Sequence, residues 1–252
     1  MGCYPICVFE ANEGMGDDLA ELARLGMVSL VVVTDCLTQP VRAFLDSHFD
    51  YVRPYKTHYV YDMRLPNGEY TKHHRDRVRR ARKSCETRVV ALSEHLDSWC
   101  DCYETLVKRK GITGIQRFSR AYFETIGAMQ EAVTIAAFAG GEFVSGHIWF
   151  RYGRYAYAHL AASTELGYTL RSAFAIYDHA IQLFRNECTI DFGGGAGVEA
   201  AESDGLAAFK KGFANDARGN FLCGKILDPP AYEHLSAHAD RTAGYFPAYR
   251  RP

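Results

Sequence analysis

Apolar and polar positions along this chain fall into short blocks that alternate between a two-residue and a three-to-four-residue period. The first predicts strands and the second helices. Residues 6–9 read as a strand. Residues 17–25 read as a helix, with Asp17 as its cap. Residues 27–34 are a β-branched run, the pattern of a buried strand. Residues 39–47 predict a short helix opened by Pro40 in its first turn. Residues 58–62 are β-rich, and Pro66, Asn67 and Gly68 mark a turn. Over 71–84 the helical period returns. His74, Val78, Ala81 and Cys85 form a thin docking face, and Arg75, Arg79, Arg82 and Lys83 share a neighbouring one.

A strand follows at 88–92, then helices at 96–109 and 119–129. Residues 132–138, 143–150 and 155–160 predict a three-stranded antiparallel meander, with turns at Gly140-Gly141 and Tyr152-Gly153. A long helix is expected over 169–185. A strand ends at Phe192, a glycine run follows, a short helix carries Phe209 and Lys210, and a last strand covers 220–226. From residue 88 the order is β-α-α-β-β-β-α-β-α-β. The Pro-, His- and Tyr-rich segment after Asp228 reads as irregular.

Composition narrows the picture only slightly. The 252 residues are 48% hydrophobic and 23% charged, as in an ordinary soluble domain. No apolar run approaches the ~20 residues of a membrane span. The first residues lack a charged segment followed by an apolar one, so no signal peptide is read. Ile6 breaks the myristoylation pattern that begins at Gly2. The eight cysteines form no CxxC pair. They are expected to be reduced, structural and cytoplasmic, with no metal site.

Charge changes the picture more. The net charge is -1, yet residues 72–83 hold seven Lys or Arg and one Asp. A mildly acidic protein with one dense basic segment suggests a local anionic partner.

Three segments carry a resemblance. They are the basic helix from Tyr70 to Lys83, the meander that ends near His159 and Thr164 before a long helix, and Asp191-Phe-Gly-Gly-Gly195 followed by Gly205-x-x-x-Phe209-Lys210-x-x-Phe213. Together, over about residues 55–228, they resemble the Fem-type peptidyltransferases, a GNAT-fold family that moves amino acids from aminoacyl-tRNA onto amines. The resemblance and the element order imply a GNAT acyltransferase fold of α/β (α+β) class, a mixed, mostly antiparallel sheet flanked by helices. The implied division is an abbreviated N-terminal GNAT-like half over 1–87, a catalytic domain over 88–228 and a tail over 229–252. Cell-wall members of that family carry two full halves and often a coiled-coil arm. The short first half here points to a smaller acceptor, either a small molecule or a peptide.

The resemblance implies that Lys210 acts at the reacting ester. A fixed cation there would stabilise the oxyanion of the tetrahedral intermediate. Phe209 would anchor it, and Lys211 would contact phosphate or solvent. Gly193, Gly194 and Gly195 would let the donor backbone approach closely. Arg75, Arg79, Arg82 and Lys83 are candidate tRNA-phosphate ligands. His159 and Glu165 are candidate bases, whereas His147 reads as a satisfied core histidine. Glu199, Glu202 and Asp204 receive no role.

An acetyl-CoA enzyme of this fold threads pyrophosphate through a glycine-rich loop before the long helix. Residues 166–174 hold one glycine and bulky Tyr168, Leu170 and Phe174. The expected co-substrate is therefore aminoacyl-tRNA, with no cofactor. CoA-dependent N-acyl transfer and a non-catalytic RNA- or partner-binding domain remain as alternatives.

Overall fold

The computed structural model describes residues 3–7, 14–66, 70–114, 117–195, 205–239 and 244–250. The predicted turn at Asn67 and Gly68, and Glu199, Glu202 and Asp204, lie outside the described residues. In chain order the elements are β1 (Cys3–Cys7), α1 (Met15–Arg24), β2 (Ser29–Thr34), α2 (Arg42–His48), β3 (Tyr51–Tyr61), α3 (Lys72–Ser84), β4 (Glu86–Val90), α4 (Leu96–Lys110), α5 (Arg120–Gly127), β5 (Ala132–Ala139), β6 (Glu142–Tyr152), β7 (Tyr155–Ser163), α6 (Glu165–Leu170), α7 (Ser172–Phe184), β8 (Thr189–Asp191), α8 (Gly205–Lys211), β9 (Asp216–Ile226) and α9 (Pro229–Leu235).

The chain forms two compact units, one of residues 1–58 with 218–252 and one of residues 59–217. These bounds differ from a division at residues 87 and 228. The end of β3 and the whole basic helix α3 belong to the 59–217 unit.

In the smaller unit β1 runs parallel to β2, and β2 pairs antiparallel with β9 from Ser29↔Ile226 to Val33↔Leu222. Val32, Leu45, Phe49 and Cys223 form its buried core. Two local readings are corrected here. Gly14 caps α1, and Asp17 lies in the first turn, where its charge complements the helix dipole. The segment after Asp228 is partly helical: the Asp228 carboxylate accepts the Ala231 N–H at 3.0 Å, and Pro229 opens α9. Asp-Pro-Pro is a helix start, because a first-turn proline has no partner to lose.

The larger unit is built on one sheet. The end of β3 pairs antiparallel with β8, β8 runs parallel to β7, and β7, β6, β5 and β4 follow as antiparallel neighbours. One face carries a core of Trp149, Ile176, Tyr177, Ile181, Phe192 and Phe213, with α3, α7 and α8 over it. The other carries Trp99, Tyr103, Phe123 and Ile148, with α4 and α5. The thin face read on α3 is the one that docks: His74, Val78, Ala81 and Cys85 are all buried.

The expected long helix is two helices. Arg171, at φ 58°, separates α6 from α7. Thr164 caps α6 by accepting the Gly167 N–H at 3.1 Å, and the Ser172 hydroxyl donates to the Gly167 carbonyl at 3.0 Å. The first bond is an ordinary N-cap, and the second ties the start of α7 back to α6.

Candidate active site

The site begins where two parallel strands part. β8 pairs with β7 only from Tyr155↔Thr189 to Tyr157↔Asp191, while β7 continues to Ser163 beside β6. Past Asp191 the chain follows β3 instead. The Phe192 N–H donates to the Tyr59 carbonyl at 2.9 Å, and the Tyr59 N–H donates to the Gly193 carbonyl at 3.2 Å. β7 also bulges at this level. Ile148 pairs with Leu160 and Trp149 with Ala158, so His159 is the extra residue.

Lys210 folds back onto the strand end. Its ammonium donates to the Gly194 carbonyl at 2.7 Å. Gly193 sits at φ +79°, and a Cβ there would lie 3.1 Å from Lys210 Nζ. Glycine at 193 thus answers both a left-handed backbone and the close passage of the lysine. The Gly193 N–H donates to Asp191 Oδ1 at 2.7 Å, which fixes the turn. The ring of Phe209 lies edge-on to Phe174 and Tyr177, with centroids 4.8 and 4.7 Å away. It anchors α8 and holds Lys210 inward, while Lys211 is exposed.

The basic helix contributes to this anchor through a histidine. His74 Nε2 donates to the Phe209 carbonyl at 3.0 Å, and Thr71 Oγ1 lies 3.1 Å from His74 Nδ1. Burial lowers the His74 pKa, partly offset by the Phe209 bond, so the neutral imidazole is the form held. A Cβ on Gly212 would come within 2.0 Å of that ring. Only a glycine at 212 lets α8 close on α3.

The candidate phosphate ligands do not act as one face. Arg82 pairs at 2.5 Å with Asp178 of α7, whose side chain is 6% exposed. Tyr70 donates to the other oxygen of Asp178 at 3.1 Å. Arg79 pairs with Asp76, and Arg75 donates to the Tyr70 carbonyl at 2.8 Å. Lys83 is exposed.

The sequence reading missed a second group of arginines. Desolvation, then the charges of Arg171 and Arg80, lowers the Arg77 pKa. None of these three guanidinium groups meets an acid among the described residues. The signal was divided: Arg77 and Arg80 point away from the face singled out on α3, and Arg171 lies in the first turn of what read as one helix over 169–185.

The two candidate bases are not brought to Lys210. His159 points to the α4/α5 face, among Phe118, Tyr122 and Phe150. It shares a 2.7 Å hydrogen bond with the Tyr122 hydroxyl, and burial pushes its pKa down to about 4. The bulge turns it there, since both residues of a bulge project to one side. Glu165 is exposed and paired with Arg109 at 2.8 Å, whose guanidinium lies 4.2 Å over the Tyr168 ring. His147, by contrast, is on the Lys210 face, with its ring 5.1 Å from that of Tyr177. It is not satisfied: buried Nδ1 has no hydrogen-bond partner.

A family model described as an acetyltransferase (GNAT) domain matches residues 72–211, more than half of the chain. The chain belongs to the GNAT acetyltransferase family. Its GNAT scaffold makes it an acyltransferase, and the parting of β7 and β8 lies within the matched region. Among solved structures, the C-terminal domain of a protein described as a lysylphosphatidylglycerol synthetase from Agrobacterium fabrum is 13% identical, with a TM-score of 0.64 over 82% of this chain and 71% of that one. L-PGS from Bacillus licheniformis is 14% identical, with a TM-score of 0.61 over 83% and 71%. FemX is 16% identical, with a TM-score of 0.57 over 71% of this chain and 63% of that one. The Fem-type resemblance therefore holds at the level of the fold. No curated protein sequence matches the chain. No helix among the described residues is long and apolar enough to cross a membrane.

Proposed function

We propose that this GNAT protein transfers an aminoacyl group from aminoacyl-tRNA to the amine of a small acceptor, forming an amide. The observation that carries the reading is Lys210, held by its bond to Gly194 where β8 leaves β7. In aminolysis the acceptor nitrogen adds to the ester carbonyl. The C–O bond to the ribose breaks, and the proton lost by nitrogen leaves on the ribose oxygen. Negative charge gathers on the carbonyl oxygen in between. An ammonium has three donors, and fixing them before the reaction lowers that barrier. The anchor through Phe209, His74 and Gly212 supports this role, because it holds the lysine whether or not substrate is bound.

Two further observations support an RNA-borne donor. Helix α6 occupies the stretch where a glycine-rich pyrophosphate loop would run. Leu170 and Phe174 pack against the core, and Tyr168 lies beneath Arg109. The stretch lacks the run of glycines whose bare backbone N–H groups would face a pyrophosphate, which favours a donor other than CoA. Arg77, Arg80 and Arg171 are like charges close enough to be felt at Arg77, with no acid beside them among the described residues, a surface that an anion would complement. Phosphates of a tRNA acceptor end are such anions. The family description favours an acyl-CoA donor as the second reading.

The two separate in one experiment. Product formation from charged tRNA should be abolished by RNase, and acetyl-CoA should neither support turnover nor shift the melting temperature. Ligand at about 100 times its dissociation constant stabilises by roughly 2.7 kcal/mol. A melting shift of that size with acetyl-CoA, together with acetyl transfer, would make the CoA reading correct.

A further inference from the structure

Helix α3 carries one polar ring in an otherwise apolar stripe. Val78, Ala81 and Cys85 complete the buried face that begins at His74. The His74 ring lies among aromatic neighbours, 4.9 Å from Phe213, 5.3 Å from Phe174 and 6.2 Å from Phe209. Shape alone would be served by Leu or Phe at this position. What histidine adds is a directed donor and a directed acceptor. Both have a partner: Nε2 meets the Phe209 carbonyl at 3.0 Å, and Nδ1 meets the Thr71 hydroxyl at 3.1 Å.

The Phe209 carbonyl is open to that bond because α8 is ending. In a continuing helix it would accept the Phe213 N–H. Instead Phe213 and Ala214 both donate to the Lys210 carbonyl, at 3.0 and 3.2 Å, and Gly212 donates to Ala208 at 3.2 Å. The Phe209 oxygen is thus one of the carbonyls that a helix end leaves to side chains. Its place matters more than its energy. The carbonyl of Phe209 and the nitrogen and Cα of Lys210 lie in one rigid peptide plane. A bond to that oxygen therefore fixes the backbone from which the Lys210 side chain leaves. The ammonium at the far end of that side chain donates to Gly194 at 2.7 Å.

Resting on the reading of Lys210 as the catalytic cation, we propose that His74 is a positioning residue that sets Lys210 through the Phe209 carbonyl, and that Thr71 holds the ring in the tautomer able to do so. The Thr71 oxygen accepts the His74 backbone N–H at 3.3 Å as the cap of α3, and its own proton goes to Nδ1. The proton of the neutral ring is left on Nε2, where the Phe209 carbonyl takes it. One hydroxyl thus sets both the helix start and the tautomer. Gly212 completes the arrangement, since a Cβ there would meet the ring at 2.0 Å and push it off the carbonyl. His74 touches no reacting atom and carries no proton-transfer step.

Single-turnover transfer and lysine labelling together test this on His74→Leu and His74→Gln, each studied below its melting temperature. Leu keeps bulk and loses the donor, whereas the Gln amide offers the same N–H and acceptor as the neutral ring. His74→Leu should slow the chemical step by about tenfold, the scale of one hydrogen bond, with donor affinity little changed. His74→Gln should recover most of that rate. On a Lys210→Ala background His74→Leu should slow the reaction no further, because an effect that runs through the lysine is lost with it. Brief labelling with acetic anhydride reads the same placement without turnover. With exposed Lys211 as internal reference, labelling of Lys210 should rise several-fold in His74→Leu and stay near the wild-type level in His74→Gln. An unchanged rate or an unchanged labelling ratio in His74→Leu overturns the inference and leaves the role of Lys210 intact. So does an equal loss of rate on both backgrounds, or a loss that His74→Gln does not relieve, since either means that the ring only supports the fold. If His74→Leu does not fold, Thr71→Val carries the same comparison, with Thr71→Ser as its conservative partner. If Lys210→Ala reacts at the wild-type rate, the catalytic reading itself has failed, and the positioning role falls with it.

Discussion

At the scale of single residues, burial decides what each titratable group can do. The bulge on β7 sends His159 into an aromatic cluster where burial holds its pKa near 4. It is therefore neutral above pH 5 and unsuited to switch with physiological pH. It does make the fold acid-sensitive. The unfolded chain takes up a proton near pH 6.5, and the folded chain resists it down to about 4. Stability is fully present above about 6.5 and falls as pH drops through that window, by up to about 3 kcal/mol for one such group. Burial lowers His74, His147 and His179 in the same direction. His159→Gln should flatten the dependence of unfolding free energy on pH between 6.5 and 4.5, measured by denaturant titration. An unchanged slope would show that the ring is not shielded as described. The sequence placed His159 near the end of a strand over 155–160, but β7 runs on to Ser163 and His159 lies at its middle. Its face was not legible, because one extra residue in β7, set by pairing with β6, reverses the parity of everything around it. His147 was misread for a related reason: periodicity reports burial, and hydrogen-bond partners come only from packing.

At the scale of elements, the arginines of the basic helix divide between a partner inside the fold and open surface. The strong helical pattern made α3 and its buried stripe legible, and Thr71 caps it as such patterns require. The division of labour among its arginines was not legible, because it depends on α7. Arg82 neutralises buried Asp178. Arg82→Ala should destabilise the protein by about 1–2 kcal/mol, less than a fully buried pair would cost because the guanidinium is half-exposed. It should leave RNA affinity nearly unchanged at a temperature where the variant is folded. Arg77→Ala with Arg80→Ala should do the reverse, and each lost phosphate contact should reduce the log–log salt slope by about 0.7–0.9. Equal slopes for wild type and the double variant would remove these arginines from the RNA surface. The closure of α8 on α3 gives a third expectation. Gly212→Ala forces a methyl into the His74 ring and should cost about 1–3 kcal/mol in chemical denaturation, as overpacking does. His74→Ala on the same background should recover part of that loss. If Gly212→Ala is neutral, the two helices do not meet as tightly as the geometry requires.

At the scale of the whole molecule, the GNAT scaffold was readable from element order because each element has a clear local signal. Less readable was the membership of the compact units. β3 and β9 each pass from one unit to the other, and long-range pairing of that kind leaves no mark on local sequence. The fold makes acyl transfer the chemistry, and many donors are used on such scaffolds. The site must therefore decide the donor, through Lys210 at the strand end and the arginines beside α7.

The central claim is that Lys210 catalyses transfer from an aminoacyl ester. Single-turnover amide formation from pre-bound charged tRNA tests it most directly, with wild type, Lys210→Ala and Lys211→Ala compared alongside a binding titration and a folding check. Wild type should form product. Lys210→Ala should slow the chemical step by about 10²–10³ with far less change in donor affinity, because the oxyanion exists only during reaction. Lys211→Ala should react at close to the wild-type rate. A folded Lys210→Ala protein that transfers at the wild-type rate would contradict the account.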